Sequence, residues 1–277
     1  MNLFKGCLLA CDVDGTLLEN GVICERNIEK INYFLSEGGI FSLATGRSVG
    51  AVSDVLKFLP DLSPSVMANG CMIYDFKEDK IPFQFLLDNN QRFIVKNVLE
   101  NFPKIGIEVH SGKDVFTLNR NFETDDHQIY EKIRILEVDF ETATKYNWNK
   151  VLYAPESEKD LEDLKVYLSQ YSEIANFYST GVFLDGRVRH YCEQVPFGVS
   201  KQTGVKKLCE FMNIKKGCCY AIGDYYNDVE IITCADIGAT LSTSPEEIKQ
   251  KADVIVGDVK SGAVADFIEY LKELRKE

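Results

Sequence analysis

The chain has 277 residues, of which 45% are hydrophobic and 27% are charged, and this composition excludes a mainly disordered protein. Lys and Arg total 31 against 43 Asp and Glu, so the formal net charge is −12, which argues against a polyanion such as nucleic acid as the main partner. Because no stretch is long enough to cross a bilayer and nothing resembles a secretory signal, we expect a cytoplasmic protein with no membrane partner.

The first part of the chain alternates short apolar runs with amphipathic segments. Apolar runs at 7–13, 39–45 and 65–68 predict strands that are buried on both faces. Between them, residues 26–37 and 49–58 carry apolar side chains at three- and four-residue spacing, which predicts helices that face a core. This alternation is typical of a parallel sheet covered by helices.

The middle of the chain has a different pattern. Residues 90–101 and 159–171 have helical spacing, whereas 108–118 and 182–191 alternate apolar and polar residues. The segment 184–188 contains Asp-Gly, a pair that favours a tight hairpin turn. We therefore expect antiparallel strands with helices on one face.

The last part of the chain returns to the first pattern. It contains strand-like runs at 218–222, 236–240 and 253–256 and helix-like segments at 201–212, 228–235 and 263–274. We therefore predict an α/β fold. Residues 1–81 and 195–277 form a Rossmann-like core with a parallel sheet, and residues 82–194 form an inserted α+β domain.

The cysteines argue against both a disulfide framework and a zinc site. There are nine of them, an odd number, and most lie inside apolar runs, which is typical of reduced thiols in a cytoplasmic protein. No C-x-x-C pair occurs, and the three histidines lie far apart in the sequence.

Two carboxylates end the first predicted strand. Asp12 and Asp14 are followed by Gly15, and ligands of open α/β sheets bind at the carboxyl ends of the strands. Taken alone, the segment is equally compatible with a simple turn.

Three further segments place polar groups at strand ends or at a helix start. Thr45 and Gly46 end the second strand with a hydroxyl and backbone N–H groups. Lys201 opens a helix, where anions are favoured by the dipole, although a surface lysine is the alternative interpretation. A third apolar run ends in two more carboxylates and an amide, supplied by Asp224, Asp228 and Asn227.

Together these segments resemble the four motifs of the haloacid dehalogenase superfamily, in the order that the family requires. They correspond to D-x-D-G-T at 12–16, T-G-R at 45–47, Lys201, and G-D-x-x-N-D at 223–228. Smaller similarities to the Cof-like branch, whose members carry a large C2-type cap, occur at Ala68–Gly70, 198–201 and 261–264. The chain departs from the family pattern at Tyr225, Tyr226, Ile231, Ile232 and 238–241.

The resemblance implies a role for each acid of the motifs. Asp12 is expected to be the nucleophile that forms an aspartyl-phosphate, and Asp14 the acid that protonates the leaving alkoxide and then activates water. Asp12, Asp14 and Asp224 are expected to bind Mg²⁺, with the backbone carbonyl of Asp14 taking part and Asp228 orienting the shell.

The same resemblance implies a phosphate site. Thr45, Gly46 and Lys201 are expected to hold the phosphate oxygens that do not react, and Asn227 to donate a hydrogen bond nearby. The inserted domain, as a cap, is expected to choose the leaving group.

The predicted function is a Mg²⁺-dependent phosphatase for a small phosphorylated metabolite, either a sugar phosphate or a phosphorylated cofactor. The alternatives are a sugar phosphomutase of the same superfamily and a phospho-acceptor or binding module without turnover. The motifs fix the reaction and leave the substrate and the oligomeric state open.

Overall fold

The structure is a computed structural model that describes residues 2–59, 62–182 and 185–276. Its contacts divide the described chain into two compact units. The first unit comprises the described residues of Met1–Arg47, Val52–Phe83 and Ser200–Glu277. The second comprises those of Ser48–Ala51 and Gln84–Val199.

The elements follow one another along both units. The strands are β1 (Leu8–Cys11), β2 (Leu18–Glu19), β3 (Val22–Ile23), β4 (Ile40–Leu43), β5 (Ser65–Met67), β6 (Met72–Asp75), β7 (Lys80–Gln84), β8 (Gly106–Ser111), β9 (Asp114–Asn119), β10 (Ile135–Glu137), β11 (Lys150–Ala154), β12 (Ile174–Val182), β13 (Val188–Pro196), β14 (Cys219–Gly223), β15 (Ile237–Leu241) and β16 (Val254–Val256). The helices are α1 (Glu25–Ser36), α2 (Ser53–Leu56), α3 (Asn89–Asn101), α4 (Phe122–Glu131), α5 (Phe140–Ala143), α6 (Glu158–Leu168), α7 (Lys201–Met212), α8 (Val229–Cys234), α9 (Glu246–Lys249) and α10 (Ala263–Leu274). Short 3₁₀ turns occur at Gly50–Val52, Ala68–Gly70 and Tyr226–Asp228.

A five-stranded parallel sheet forms the centre of the first unit. Its strand order is β16-β15-β14-β1-β4, so β1 lies between β14 and β4. All four residues of β1 are buried, as expected for a parallel strand covered on both faces. The predicted Rossmann-like α/β core is confirmed.

Two details of the first unit differ from the sequence prediction. The run at 65–68 continues the parallel sheet by a single bridge between Ala44 and Val66, whereas most of β5 pairs antiparallel with β6 in a sheet with the order β5-β6-β7. The segment 49–58 is not one helix but a 3₁₀ turn followed by the single-turn α2. Its Ala51, Val52 and Val55 are nevertheless buried. The apolar spacing therefore predicted which side chains face the core, but it did not predict that the helix is interrupted.

A six-stranded mixed sheet forms the second unit, with the order β10-β9-β8-β11-β13-β12. β10 pairs parallel with β9, and the other neighbours are antiparallel. A buried apolar cluster joins the sheet to α3 and α6 and includes Val98, Val151 and Leu164. The predicted antiparallel strands with packed helices are therefore present.

The predicted hairpin at 184–188 lies partly outside the described residues, which exclude Phe183 and Leu184. The strands β12 and β13 pair antiparallel up to Val182 and Val188, and Gly186 has a φ of +80°. Within the described chain, no helix has the length and apolar character that a membrane crossing requires.

Candidate active site

Asp12 and Asp224 follow neighbouring strands at the same edge of the parallel sheet. Asp12 comes directly after β1, and its backbone N–H donates to the carbonyl of Ile222 on β14 at 3.0 Å. Asp224 comes directly after β14. Because β1 and β14 run parallel, their carboxyl ends meet, and the two acids approach each other although 211 residues separate them in the sequence.

Three carboxylates form one group at this edge. An oxygen atom from each of Asp12, Asp224 and Asp228 lies within 4.8 Å of the other two. Asp12 and Asp228 are buried, and Asp224 is half-buried. Carboxylate oxygens at this spacing are the ligands that hard divalent cations prefer.

Lys201 lies inside this group. Its Nζ donates to Oδ1 of Asp12 and to Oδ1 of Asp228, each at 2.6 Å, and its side chain is 1% exposed. One ammonium therefore contacts two of the three carboxylates, which leaves the group with an excess of negative charge.

The pKa values of these groups are shifted by burial and by the neighbouring charges. Burial, followed by the nearby charge of Asp228, raises the pKa of Asp12 well above its usual value. Burial also raises the pKa of Asp224 to about 6, against the lowering effect of a hydrogen bond from Thr16. Burial lowers the pKa of Lys201, but Asp12 and Asp228 outweigh it, so the net shift is upward. A bound cation would relieve the repulsion among the carboxylates.

The turn after β14 fixes the position of Asp228. Its Oδ2 accepts hydrogen bonds from the backbone N–H groups of Asp224 at 3.2 Å and Tyr225 at 3.3 Å. Asp228 therefore holds the loop that carries Asp224 while its other oxygen meets Lys201. Asn227 is half-buried beside it in the same 3₁₀ turn.

Gly15 allows the loop after β1 to approach Asp224. Its φ is +82°, and a Cβ built there would lie 2.6 Å from Oδ2 of Asp224. Any side chain would collide with the carboxylate, and an L-residue would be strained at this φ. The next residue, Thr16, is fully buried and donates from Oγ1 to Oδ1 of Asp224 at 2.7 Å.

Asp14 has a different environment from the other three acids. Its side chain is 53% exposed, and its carboxylate accepts two hydrogen bonds from Arg47, from Nε at 2.8 Å and from Nη2 at 2.6 Å. Such a bidentate pair fixes the orientation of a carboxylate. The side chain of Asp14 is thus held by Arg47 rather than by Lys201.

Thr45 and Gly46 follow β4, the neighbour of β1 on its other side. Thr45 is 1% exposed, its Oγ1 accepts from the backbone N–H of Arg47 at 3.1 Å, and its carbonyl accepts from the backbone N–H of Asn69 at 3.0 Å. A Cβ built on Gly46 would lie 2.9 Å from Oδ1 of Asn69, so the Asn69 amide packs directly on this glycine.

Gly70 allows the turn Ala68–Gly70 to pack against the start of α7. Its φ is +95°, and a Cβ built there would lie 1.9 Å from the carbonyl oxygen of Ser200. Only glycine permits this approach of two backbones. The contact fixes the N-terminus of α7, from which Lys201 reaches the carboxylates.

The structure thus brings four of the predicted site residues into direct contact or close proximity: Asp12, Asp224, Asp228 and Lys201. It also adds three residues to which the sequence assigned no role: Thr16, Arg47 and Asn69. Each lies inside or beside a quoted motif, at D-x-D-G-T, T-G-R and Ala68–Gly70. Their position in or beside these motifs is the sequence feature that could have identified them as site residues.

Comparison with known proteins decides the family. Residues 9–268 match the family model described as haloacid dehalogenase-like hydrolase. The chain belongs to this family. The predicted membership and the predicted class of enzyme, a hydrolase, are confirmed.

Relatives of this hydrolase differ in length. It is 28% identical over 291 residues to the 5-amino-6-(5-phospho-D-ribitylamino)uracil phosphatase YwtE of Bacillus subtilis, covering 95% of this chain and 97% of the relative. It is also 28% identical over 280 residues to the Arabidopsis thaliana protein named endoribonuclease YBEY, chloroplastic. That match covers 95% of this chain but 46% of the plant protein, so the chain spans less than half of that relative.

A solved structure has the same fold. The crystal structure of a haloacid dehalogenase-like hydrolase from Bacteroides thetaiotaomicron superposes with a TM-score of 0.81 at 23% identity. The match covers 97% of this chain and 99% of the other. At this identity the likeness concerns the fold alone.

Proposed function

We propose that this haloacid dehalogenase-like hydrolase is a Mg²⁺-dependent phosphatase that hydrolyses small phosphate monoesters through an aspartyl-phosphate at Asp12. The observation that carries the proposal is the group of three carboxylates around Lys201, because it combines a candidate nucleophile with a candidate cation site. The match to the phosphatase YwtE over nearly the full length of both chains supports the phosphatase class.

The donor set fits magnesium. The group has three carboxylates and one ammonium, which contacts Asp12 and Asp228, so it carries an excess of negative charge, and oxygen ligands are the kind that Mg²⁺ prefers. Asp12 and Asp224 would bind the ion, with the backbone carbonyl of Asp14, and Asp228 would orient the shell. When bound, the ion neutralises charge on the phosphoryl oxygens.

Asp12 is the proposed nucleophile. A carboxylate attacks a phosphate monoester only when cations screen the phosphoryl oxygens. Lys201 donates to Oδ1 of Asp12 at 2.6 Å, which orients the carboxylate and supplies one of these cations. The attack breaks the bond between phosphorus and the leaving oxygen and forms the aspartyl-phosphate.

Asp14 is the proposed acid and base. It gives a proton to the leaving alkoxide and later removes one from the water that attacks the aspartyl-phosphate. Its exposed carboxylate is held in one orientation by Arg47. Arg47 therefore positions Asp14 in this proposal.

Thr45, Gly46, Lys201 and Asn227 are the proposed phosphate ligands. Thr45 is buried after β4, the strand that pairs with β1. A hydroxyl, a backbone N–H group, an ammonium and an amide are all donors, as the phosphate oxygens require.

We propose that residues 82–194 act as the cap domain that selects the leaving group, since the motif residues of the core are assigned to the phosphate and the metal. Sugar phosphates are the first candidates and phosphorylated cofactors the second. YwtE is named for a substrate with a phosphorylated ribityl chain, which favours phosphorylated polyols. We also propose a cytoplasmic location, because most of the nine cysteines lie inside apolar runs, as is typical of reduced thiols.

The test is a panel of phosphate esters assayed for phosphate release with Mg²⁺ and with a chelator. A small artificial aryl phosphate serves as the positive control, and sugar, polyol and cofactor phosphates form the panel. We expect release that requires Mg²⁺. An isomeric hexose phosphate without free phosphate would indicate a mutase, and a long-lived phosphoprotein without turnover would indicate a phospho-acceptor. Undiminished release after chelation would contradict the metal requirement.

A further inference from the structure

Two cysteines of the first unit lie close together outside the carboxylate group. Cys209 is on α7 and Cys219 is the first residue of β14, and their sulfur atoms are 3.6 Å apart. Both side chains are half-buried, whereas Cys7, Cys11 and Cys71 are buried. The pair therefore combines close sulfur contact with partial access to solvent.

The contact between the two thiols changes the pKa of each. The hydrogen bond between the two thiols lowers the pKa of Cys209, and this effect outweighs the raising effects of burial, Asp236 and Glu210. The same bond and burial raise the pKa of Cys219. Because the thiolate is the nucleophile in disulfide exchange, Cys209 is the cysteine of the pair that reacts first.

We propose that Cys209 and Cys219 form a reversible intramolecular disulfide, a redox modification site that links α7 to β14. The oxidant is a low-molecular-weight disulfide such as glutathione disulfide. The Cys209 thiolate attacks one of its sulfurs and releases the first glutathione thiolate. The Cys219 sulfur, after losing its proton, attacks the Cys209 sulfur of the mixed disulfide and releases the second. Two protein thiols are oxidised, and one glutathione disulfide is reduced to two glutathione molecules.

The geometry requires a small movement. A disulfide has a sulfur separation of about 2 Å, so the two atoms, now 3.6 Å apart, must approach by roughly 1.5 Å. Both cysteines pack against the apolar cluster that includes Val205 and Leu208. Rotation about χ1 and a slight shift of α7 can supply the approach.

The link would join the two elements that carry the carboxylate group's main contacts. α7 begins at Lys201, and β14 ends one residue before Asp224. Cytoplasmic disulfides are usually transient or redox-sensing, and this position is suited to such a role. The inference does not depend on the proposed phosphatase activity.

The experiment oxidises the whole protein with glutathione disulfide, blocks remaining thiols by alkylation and maps tryptic peptides without reduction. Cleavage after lysine yields the peptide 208–215 with Cys209 and the peptide 217–249 with Cys218, Cys219 and Cys234. We expect these two peptides to be cross-linked in the oxidised protein and separate after reduction. Glutathione adducts on either peptide without the cross-link would overturn the proposal.

Matched variants identify the sulfur on the longer peptide. Cys218→Ser and Cys234→Ser should keep the cross-link, whereas Cys219→Ser and Cys209→Ser should lose it. A cross-link that persists in Cys219→Ser would assign the bond to another cysteine and refute the pair. If Cys219→Ser does not fold, the wild-type map and the two control variants still decide, because loss of the cross-link in Cys218→Ser or Cys234→Ser would equally refute it.

The oxidised and reduced forms should also differ in thermal unfolding. A native-compatible cross-link constrains the unfolded chain, so we expect the oxidised wild type to unfold at a temperature higher by roughly 2 °C or more. Oxidant should leave the unfolding temperature of Cys209→Ser unchanged. An unchanged or lower unfolding temperature for the cross-linked wild type would show that the bond disrupts native packing. It would contradict a disulfide site that the native fold accommodates.

Discussion

Two groups of charged residues, one in each unit, differ in how their charges balance. In the first unit, one lysine faces three carboxylates at the ends of β1 and β14, and Lys201, Asp12 and Asp228 are buried. In the second unit, two arginines face three acids: Asp126 and Asp185 form the close pairs, and Glu123 lies 3.9 Å from Arg189. Arg187 donates to Asp126 at 3.0 Å, and Arg189 pairs with Asp126 and with Asp185, the latter at 2.9 Å.

The difference in charge indicates that the group in the first unit is a candidate ligand site and that the group in the second unit is a structural network. The arginine network is explained by the fold, because each of its carboxylates has an arginine partner. The carboxylate group of the first unit is costly for the fold, since buried like charges repel and lack enough counter-charge. Such an excess is expected where a ligand supplies the missing charge.

The largest effect should come from removing the proposed nucleophile. Asp12→Asn keeps the size of the side chain and removes one of the like charges, so we expect turnover to fall by about 10⁴-fold or more while the thermal stability without metal is kept or raised. The measurement is phosphate release from the aryl ester, with thermal unfolding in chelator as the control. Phosphatase activity retained by this variant would remove Asp12 from its role.

Asp14→Asn should have the next largest effect. The variant keeps the shape that Arg47 contacts but cannot transfer a proton, so both steps slow, by about 10²- to 10⁴-fold. Single-turnover kinetics should show slower formation and slower decay of the phosphoenzyme. Because Asp14 is 53% exposed, we expect no loss of stability. An unchanged rate in both steps would contradict the acid/base assignment.

The third prediction concerns pH. The pKa of Asp224 is raised to about 6 without a cation, so the fold disfavours its charged form and metal-free stability decreases as the pH rises through this value. A bound ion reverses this preference. The apparent affinity for Mg²⁺ should therefore weaken below pH 6, by about tenfold for each unit if one proton is displaced.

Magnesium titrations of activity at several pH values measure this effect, and Thr16→Val is the matched variant. Its loss of the hydrogen bond to Asp224 removes an interaction that lowers the carboxyl pKa, so the dependence should move to higher pH. A magnesium affinity that is constant from pH 7 to pH 5 would argue against Asp224 as a ligand.

The smallest effect on activity should come from the arginine network of the second unit. Asp126→Asn deprives Arg187 and Arg189 of a charged partner, and we expect a loss of roughly 1–3 kcal/mol in the free energy of unfolding. Turnover of the aryl ester should stay unchanged, because the variant touches none of the proposed catalytic groups. If the variant lost turnover of the aryl ester without losing stability, the network would have a role in activity and not only in the fold.

The sequence by itself predicted the parallel sheet and the polar residues at its strand ends. These are local signals: β1 is a continuous apolar run followed directly by Asp12, and β14 is another followed by Asp224. A buried parallel strand must be apolar on both faces, and its carboxyl end is where a ligand site can form. The order of the four motifs then indicated the family.

Only the tertiary structure decided which groups meet. Thr16 donates to Asp224 across 208 positions, and Lys201 reaches Asp12 across 189. The sequence likewise could not show that Arg47 holds Asp14, nor that Cys209 contacts Cys219. Such pairs depend on strand order and on how closely backbones approach, as at Gly70 and Ser200. Local patterning determines what each segment becomes, whereas long-range packing determines which side chains share a site.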